Sequence, residues 1–383
     1  MITYDHVTKI FGAGKLAVTA LDDVSFTISQ GETVIFLGPS GCGKTTTLRL
    51  TNKLDTITRG NINVNGRDIT GMNAVKLRQS MGYVIQDIGL FPNKTIAQNI
   101  AVVPRMLGWE KNKISERIDE LLAMVKLDPD VYRDRYPAEL SGGQQQRVGV
   151  ARGLAADPDI LLMDEPFGAI DPINREQIQD EFLRVQAKLK KTIAFVSHDI
   201  HEAIKMGDKI ALFDEGRLVQ YDTPEIILTQ PKNKFVADFV GADRALKVLG
   251  LMRTEGSMNR SPKNILKAET PAPQSLKLME EKDIRYGIVL ENNRPIGYIR
   301  PKDLKFEEGP TKDQVTRFPA FSEERQTLRD VLSIMLMHDL LVVPVVKDTG
   351  EFAGTISLHN IQKSILSIYT DETADETAQE HEQ

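Results

Sequence analysis

A glycine-rich turn near the N-terminus is the feature that most restricts how this chain can fold. The run Gly38–Thr45, GPSGCGKT, fits the phosphate-loop pattern G-x-x-x-x-G-K-[ST] without a mismatch. It follows a short β-branched run, Thr33–Leu37, and leads into a predicted helix, Thr45–Lys53. Strand, loop and helix in that order are the context that a phosphate loop requires. The sequence therefore predicts an α/β fold that holds phosphate groups at a helix N-terminus.

The residue types of this loop suit a nucleoside triphosphate. Glycines let backbone N–H groups turn toward phosphate oxygens, and the following helix directs its positive end at them. We expect Lys44 to bridge the β- and γ-phosphates and the Thr45 hydroxyl to ligate Mg²⁺. Cys42 is interpreted as a small loop-filling residue, because no base is in view to make it a nucleophile. The predicted nucleotide-binding residues here are Gly38, Pro39, Ser40, Gly41, Cys42, Gly43, Lys44, Thr45 and Thr46.

Predicted strands and helices alternate through the first 241 residues. Alternation of this kind favours a mostly parallel sheet with helices on both faces. The further predicted strands are Ile2–Val7, Val24–Ser29, Ile62–Val64, Tyr83–Ile85, Asp159–Met163 and Thr192–Ser197. The further predicted helices are Lys113–Lys126, Ser141–Ala155 and Arg175–Lys190.

Polar residues follow several of these strands. Asp164 ends an apolar strand, where its carboxylate can reach Mg²⁺, and Glu165 comes next. We interpret Glu165 as the catalytic base or the group that orients the attacking water. Gln86 follows the strand Gly82–Ile85, and its carbonyl oxygen could join Thr45 and Asp164 around the metal. His198 follows another strand, where a side chain of a doubly wound sheet faces the ligand crevice.

A second anion-binding turn occurs in Leu140–Arg147, LSGGQQQR. Ser141, Gly142 and Gly143 at a helix start make a surface that can grip phosphate, although the phosphate loop already supplies one. Two such surfaces make sense if they lie on opposite faces of the molecule. Two copies arranged head-to-tail would then trap ATP between the loop of one copy and the turn of the other.

Bulk composition excludes several other classes of protein. A single cysteine among 383 residues rules out an internal disulfide framework and fits a reducing cytosol. No apolar run approaches the roughly 18–20 residues needed to cross a bilayer, and the N-terminus lacks a signal-peptide core. A net charge of −6 argues against nucleic-acid binding, which relies on basic surface.

The order of these motifs resembles the ATP-binding cassettes of the ABC family over roughly residues 1–241. The resemblance implies that His198 contacts the γ-phosphate, Phe11 stacks on adenine and Gln86 lies in the Q-loop. It assigns Ser141, Gly142, Gly143 and Gln144 to the ATP of the partner's site. It also places Asp171, in Gly168–Asp171, in the loop that communicates across a homodimer interface.

The chain beyond Gly241 contains a weak internal repeat. Leu278-Met279 and Asp283-Ile284 correspond to Ile334-Met335 and Asp339-Leu340, and each pair precedes two β-rich runs. The pattern resembles tandem CBS (cystathionine-β-synthase) modules, the alternative being an unrelated α+β tail domain. Such modules often bind adenosine ligands with G-x-x-[ST]-x-x-D, but Arg300 and Asn360 depart from it. These departures argue against an adenine nucleotide and leave ionic-strength sensing or dimerisation as alternatives.

The combined pattern fits a P-loop ABC cassette, with helical and antiparallel β subdomains, followed by a smaller α+β regulatory domain. We expect a cassette over 1–241, with a helical subdomain at about 88–157. A linker or the start of the regulatory region is expected over 242–273, CBS-like modules over 274–370, and an acidic disordered tail over 371–383.

The segments GYVIQDIGLFPNKTIAQNI, LSGGQQQRVGVARGLAADP and LLMDEPFGAIDPINR, followed by CBS-like modules, resemble the ATPase subunits of bacterial osmoprotectant importers. Such importers take up glycine betaine, choline or carnitine. The resemblance implies a permease bound at Gln86–Asn93, an extracytoplasmic solute-binding protein, and a peripheral position on the cytoplasmic face of the membrane. Alternatives are an amino-acid importer, a soluble ABC protein acting on ribosomes or DNA, and a signalling module with a vestigial ATPase. The intact Lys44, Asp164, Glu165 and His198 argue against the last.

Overall fold

The computed structural model describes residues 1–86, 89–168, 170–305 and 307–367. The predicted acidic tail, 371–383, lies outside the described residues. The chain divides into two compact units. The first contains Met1–Ile227 and Pro231–Val240, and the second contains Leu228–Gln230 and the chain from Gly241 onward.

Strands and helices alternate through the chain up to residue 240. The strands are β1 (Ile2–Phe11), β2 (Val18–Ile28), β3 (Thr33–Leu37), β4 (Arg59–Val64), β5 (Arg67–Asp68), β6 (Met81–Val84), β7 (Ile160–Asp164), β8 (Thr192–Val196), β9 (Lys209–Asp214) and β10 (Arg217–Asp222). The helices are α1 (Lys44–Thr51), α2 (Ala74–Gln79), α3 (Ile96–Ile100), α4 (Val102–Met106), α5 (Lys111–Met124), α6 (Pro129–Tyr132), α7 (Gly142–Leu154), α8 (Pro172–Leu189), α9 (Ile200–Met206), α10 (Pro224–Thr229) and α11 (Lys234–Val240).

A mostly parallel sheet forms the centre of the first unit, as predicted. Its strand order is β10-β9-β3-β8-β7-β6, and only β10 pairs antiparallel to its neighbour. Every residue of β3, β7 and β8 is buried, which is typical of parallel strands covered on both faces. Because these strands run in the same direction, their carboxyl ends meet at one edge of the sheet.

A second, antiparallel sheet packs beside the first in the order β2-β1-β4-β5. Aromatic rings fill the core that includes residues of both sheets: Tyr4 stacks on Phe26 at 4.3 Å between centroids, and Phe36 of β3 meets Phe26 edge-on at 5.6 Å. At its far end the β1–β2 hairpin pairs Phe11 with Val18. This hairpin also reaches the phosphate loop, since a Cβ on Gly43 would lie 2.5 Å from the carbonyl oxygen of Ala20.

The second unit is built from two similar modules. Its elements are α12 (Arg244–Leu251), α13 (Thr254–Ser257), β11 (Ile265–Lys267), α14 (Ala272–Glu281), β12 (Gly287–Glu291), β13 (Arg294–Ile299), α15 (Pro301–Leu304), β14 (Ser322–Glu323), α16 (Leu328–His338), β15 (Val342–Val346) and β16 (Phe352–Ser357). In each module a short strand pairs parallel with the middle strand, which pairs antiparallel with the last.

Equivalent details recur in the two modules. The antiparallel pairs have register shifts at Val289/Leu290 and at Val345/Val346, and left-handed backbone recurs at Asp283 and Asp339. The internal repeat predicted from sequence is therefore present in the fold. The stretch 242–273, expected to be a linker or the start of the regulatory region, contains α12, α13 and β11.

No helix among the described residues is both long enough and apolar enough to span a bilayer.

Candidate active site and a cleft in the second unit

Four neighbouring parallel strands end at the residues predicted to carry the chemistry. The phosphate loop follows β3, Gln86 follows β6, Glu165 follows β7 and His198 follows β8. Since β3, β8, β7 and β6 are adjacent in that order, these residues gather at one edge of the sheet. Ligands of open α/β sheets bind at the carboxyl ends of strands, which makes this edge the candidate active site.

The phosphate loop has backbone that only glycine tolerates. Gly38 has φ of 142°, and a Cβ there would lie 2.2 Å from the Phe213 carbonyl oxygen. Gly41 has φ of 82° and opens onto free space. The Lys44 ammonium donates to the carbonyl oxygens of Gly38 and Pro39, each at 2.7 Å, and lies 3.6 Å from Cys42 Sγ. Ser40 and Gly43 complete the loop and Thr46 lies in the first turn of α1.

Thr45 and Asp164 form a pair of oxygen donors that fits Mg²⁺. The Thr45 hydroxyl donates to Asp164 Oδ1 at 3.0 Å, and the Asp164 side chain is buried. Burial raises the pKa of Asp164, although the Thr45 hydrogen bond opposes this, and nearby Glu165 raises it further. A bound cation would stabilise the ionised form of this buried carboxylate. Hard cations such as Mg²⁺ prefer oxygen ligands. Among the described residues no cluster of three His, Cys, Asp or Glu side chains is placed to hold a metal.

Glu165 is the point at which the other strand-end residues converge. The Gln86 side-chain amide donates to Glu165 Oε2 at 3.2 Å, and His198 Nδ1 lies 3.5 Å from the same oxygen. The Glu165 side chain is 25% exposed, so water can reach it, and the His198 side chain is 62% exposed. A carboxylate at this place can accept a proton from an attacking water, while His198 is free to contact a phosphate. The metal-ligating role of Gln86 stays a prediction, since its amide here bonds to Glu165.

Phe11 offers an exposed ring at the end of β1. Its side chain is 40% exposed, and the Lys9 ammonium lies 4.5 Å from the ring centroid on the same strand. Lys9 also donates to the Thr56 carbonyl oxygen at 2.8 Å. In the same hairpin, Ala20 lies against the phosphate loop, since a Cβ on Gly43 would lie 2.5 Å from its carbonyl oxygen. The stacking of Phe11 on adenine stays a prediction.

The LSGGQ turn is built as a helix start and stands apart from the phosphate loop. Ser141 caps α7, and its side chain and that of Gln144 bond reciprocally to each other's backbone N–H. Ser141 and Gly142 are exposed, and Gly142 has open space around it. Within the described residues no hydrogen bond joins this turn to the phosphate loop. Binding of phosphate by this turn stays a prediction.

Asp171 lies at the start of α8. Its carboxylate accepts from the Asn174 backbone N–H at 3.1 Å and from the Asn174 side chain at 2.8 Å. Pro172 follows at the first helical position, a typical helix start. Ala169, within the predicted communication loop, lies outside the described residues.

Sequence reasoning missed three buried polar residues around this site. Gln146 of α7 donates to the Glu165 carbonyl oxygen, Glu202 of α9 bonds to Ser197 and Gln179, and Lys9 lies beneath Phe11. For Gln146 the available signal was its place in LSGGQQQR, five residues after the capping serine. Glu202 lies in the first turn of α9, which follows His198 directly after its cap Asp199, and its acidic type there is the available signal.

The second unit contains a cleft of about 290 Å³, lined by residues of both modules. Arg300 and Leu341 line it together with the aromatic residues Tyr286, Tyr298 and Phe318. Arg300 is paired with Asp303 at 3.0 Å, and although partial burial opposes it, the Arg300 hydrogen bonds lower the pKa of Asp303.

The last residues of the two elements compared with the adenosine-binding pattern, Asp303 and Asn360, have the same local role. Asp303 accepts from the Arg300 backbone N–H, and Asn360 accepts from the Ser357 backbone N–H, in the same way. Both pairs therefore act as caps of a following helix. This capping needs only a side-chain oxygen three residues on, which both Asp and Asn supply.

Comparisons with known proteins bear on both units. A model of the ABC transporter family matches residues 21–168, and a model of the CBS domain matches 257–307 and 315–367. The chain is 46% identical to the osmoprotectant import ATP-binding protein OsmV of Salmonella typhimurium, over 93% of this chain and 94% of that protein. It is 41% identical to the glycine betaine/carnitine/choline transport ATP-binding protein OpuCA of Bacillus subtilis, over 97% of this chain and 98% of that protein.

Among solved structures, the dimeric post-hydrolysis state of the ATP-binding cassette MJ0796, bound to ADP and Pi, matches with a TM-score of 0.55 and 31% identity. The match covers 58% of this chain and 99% of that one.

Proposed function

This chain belongs to the family of ATP-binding subunits of ABC importers for osmoprotectants, and from that premise we propose how its residues power transport. It is an ATPase whose turnover is coupled to solute import. The convergence of Gln86 and His198 on the Glu165 carboxylate, beside the phosphate loop, is the observation that carries the mechanism.

Each residue of the site has a defined task in hydrolysis. The loop amides and Lys44 hold the β- and γ-phosphates, and Phe11 stacks on the adenine. Thr45 and Asp164 would hold Mg²⁺, and Gln86 would add a further oxygen ligand; when bound, the ion would neutralise charge that develops on the phosphates. Glu165 accepts a proton from the attacking water as the water oxygen approaches phosphorus. His198 contacts the γ-phosphate and keeps it aligned with Glu165.

Two copies of the chain form the working unit. The turn of Ser141, Gly142, Gly143 and Gln144 binds the γ-phosphate of the ATP held by the partner. Asp171 lies in the loop that transmits the state of one site to the other across the interface. MJ0796, similar to this chain, is dimeric. ATP favours the closed dimer because only that arrangement provides contacts from both copies, and hydrolysis lets the copies separate.

The transporter also requires subunits that this chain does not provide. We place a membrane permease against the segment Gln86–Asn93, at the cytoplasmic face of the membrane, with an extracytoplasmic protein delivering the solute. The second unit adjusts activity in response to ionic conditions or a ligand. The names of the related proteins point to glycine betaine, choline or carnitine and do not favour the alternative of an amino-acid importer.

Uptake by a strain lacking the gene tests this function. Restoring the intact chain should restore accumulation of labelled glycine betaine, carnitine or choline at high osmolarity, whereas Lys44→Ala should not. Restored uptake of an amino acid, with none of the quaternary ammonium compounds transported, would contradict the proposed substrate class.

A further inference from the structure

Glu165 has an unusual backbone conformation for a residue with a side chain. β7 ends at Asp164, and at Glu165 the chain turns into the left-handed region with φ of 47°. Residues other than glycine adopt this region rarely and keep it only where neighbouring groups hold them there. The direction of the Glu165 carboxylate therefore depends on whatever fixes its peptide groups.

Hydrogen bonds hold the peptide groups on both sides of this residue. The Glu165 N–H donates to the Val196 carbonyl oxygen of β8 at 3.1 Å. Its carbonyl oxygen accepts from the Gly168 N–H at 3.1 Å, within the same turn, and from the Gln146 side-chain amide at 3.0 Å. Gln146 thus supplies a bond to this carbonyl from a separate element, helix α7.

Gln146 itself is held in place. Its side chain is 2% exposed. Helix α7 packs closely on β6, because a Cβ on Gly82 would lie 2.2 Å from the Gly153 carbonyl oxygen and one on Gly153 would lie 2.8 Å from Val84. A buried amide on a tightly packed helix has little freedom to move away from its acceptor. Side chains locked in this way hold reactive groups in productive geometry.

We infer that Gln146 is a positioning residue for hydrolysis: its amide fixes the left-handed peptide of Glu165 and so aims the carboxylate at the attacking water. This inference rests on the proposed role of Glu165. It also means that the helix whose first turn binds the partner's ATP directly supports the base of its own site. A shift of α7 would reach the Glu165 peptide through one hydrogen bond.

The experiment compares full-length Gln146→Met with the parent in the assembled, reconstituted transporter. Methionine keeps the length and volume but donates no hydrogen bond. We expect kcat for ATP to fall by roughly 10²-fold, as small misplacements of reacting groups produce. KM for ATP and ATP-dependent dimerisation should stay within about twofold, because the nucleotide contacts are made elsewhere. Gln146→Glu, which places an acceptor against the carbonyl, should lower kcat at least as far.

Gln145→Met is the matched control, since Gln145 is on the same helix and, among the described residues, its amide donates to the Leu140 carbonyl oxygen at 3.1 Å and not to Glu165. It should keep the parental kcat. An unchanged kcat in Gln146→Met would overturn the inference. So would a fall in dimerisation and in melting temperature large enough to account for the lost turnover. Glu165→Gln is measured in parallel: if it hydrolyses ATP normally, the base assignment has failed, whereas failure confined to the Gln146 variants refutes positioning alone.

Discussion

Three carboxylates near the candidate site differ in their surroundings, and the surroundings determine what each can do. Asp164 is buried beside the Thr45 hydroxyl, which suits a metal ligand. Glu165 is partly exposed and faces Gln86 and His198, which suits proton transfer to and from water. Glu202 is buried against Ser197 and Gln179, away from solvent, which suits a structural link between α8 and the segment that carries His198.

Glu165→Gln should separate ATP binding from hydrolysis. Glutamine keeps the shape of the side chain but cannot accept the proton, so we expect steady-state turnover to fall by about 10²- to 10⁴-fold. ATP should still drive dimerisation, which size-exclusion chromatography with and without ATP measures. Undiminished hydrolysis would show that Glu165 is not the base.

Glu202→Gln should change how stability depends on pH. Burial raises the pKa of Glu202 and Asp199 adds to this, while bonds from Ser197 and Gln179 oppose it. The folded state then holds the proton more tightly than the unfolded state, so stability falls as pH rises above the ordinary carboxyl range. Glutamine does not ionise, so the variant has no cost of burying a charge. Its melting temperature minus that of the parent should therefore increase from about pH 5 to about pH 8. The exposed Glu176→Gln on α8 should show no such trend.

The residue roles that could be assigned from sequence are those contained in contiguous motifs. Lys44, Thr45 and Asp164 each lie in a short pattern whose chemistry is local. The contact of Gln146 with Glu165 joins positions 19 residues apart, and that of Gln179 with Glu202 joins positions 23 apart. Such pairs depend on how helices pack on the sheet, which no local pattern encodes.

At the scale of single elements, buried strands were easier to locate than helix starts. The predicted strand Thr33–Leu37 matches β3 at both ends, since an apolar run between polar turns has clear limits. The helix predicted at Arg175–Lys190 begins at Pro172 in the structure, because Asp171 caps it and a proline is accepted at the first position. Apolar periodicity could not show that residues 172–174 are helical, because the first turn of a helix need not face the core.

Helix α3 organises the segment expected to contact the permease. Asn99 is fully buried and its side chain bonds to the Phe91 N–H and to the carbonyl oxygens of Phe91, Lys94 and Thr95. Asn99→Leu should leave these groups unsatisfied and lower the free energy of unfolding by about 1–3 kcal/mol, measured by urea denaturation. The same substitution at the exposed Asn93 should change it by less than about 0.5 kcal/mol. Equal effects at the two positions would contradict this account.

At the scale of the whole molecule, the division into two units separates the ATPase residues from the CBS modules. Every residue proposed for ATP hydrolysis lies in the first unit, and both CBS matches lie in the second. The sequence predicts a boundary near Gly241, because no nucleotide motif occurs beyond it and a repeat follows. The two compact units divide between Val240 and Gly241. The internal repeat does not identify a ligand for the second unit. Asp303 and Asn360, which stand where an adenosine-binding Asp is expected, act as helix caps.

Ending the chain after Gly241 should therefore preserve ATP hydrolysis while changing its response to salt. Charge contacts between groups about 10 Å apart weaken as ionic strength rises through 0.1 M, so a module that uses them can report salt. ATPase activity of the reconstituted transporter, measured against salt for the full and shortened chains, checks this. An identical salt response would remove ionic-strength sensing as the role of the second unit.

The burial of Cys42 within the phosphate loop provides a way to measure how often the loop opens. Its thiol is 4% exposed and burial raises its pKa, so a maleimide can react only when the loop opens. Because this is the sole cysteine in the sequence, the labelling rate of the unaltered protein measures that opening directly. Mg-ATP should slow the labelling of Cys42 in proportion to the fraction of sites that it occupies. The labelling rate then reports loop opening during transport without an engineered probe.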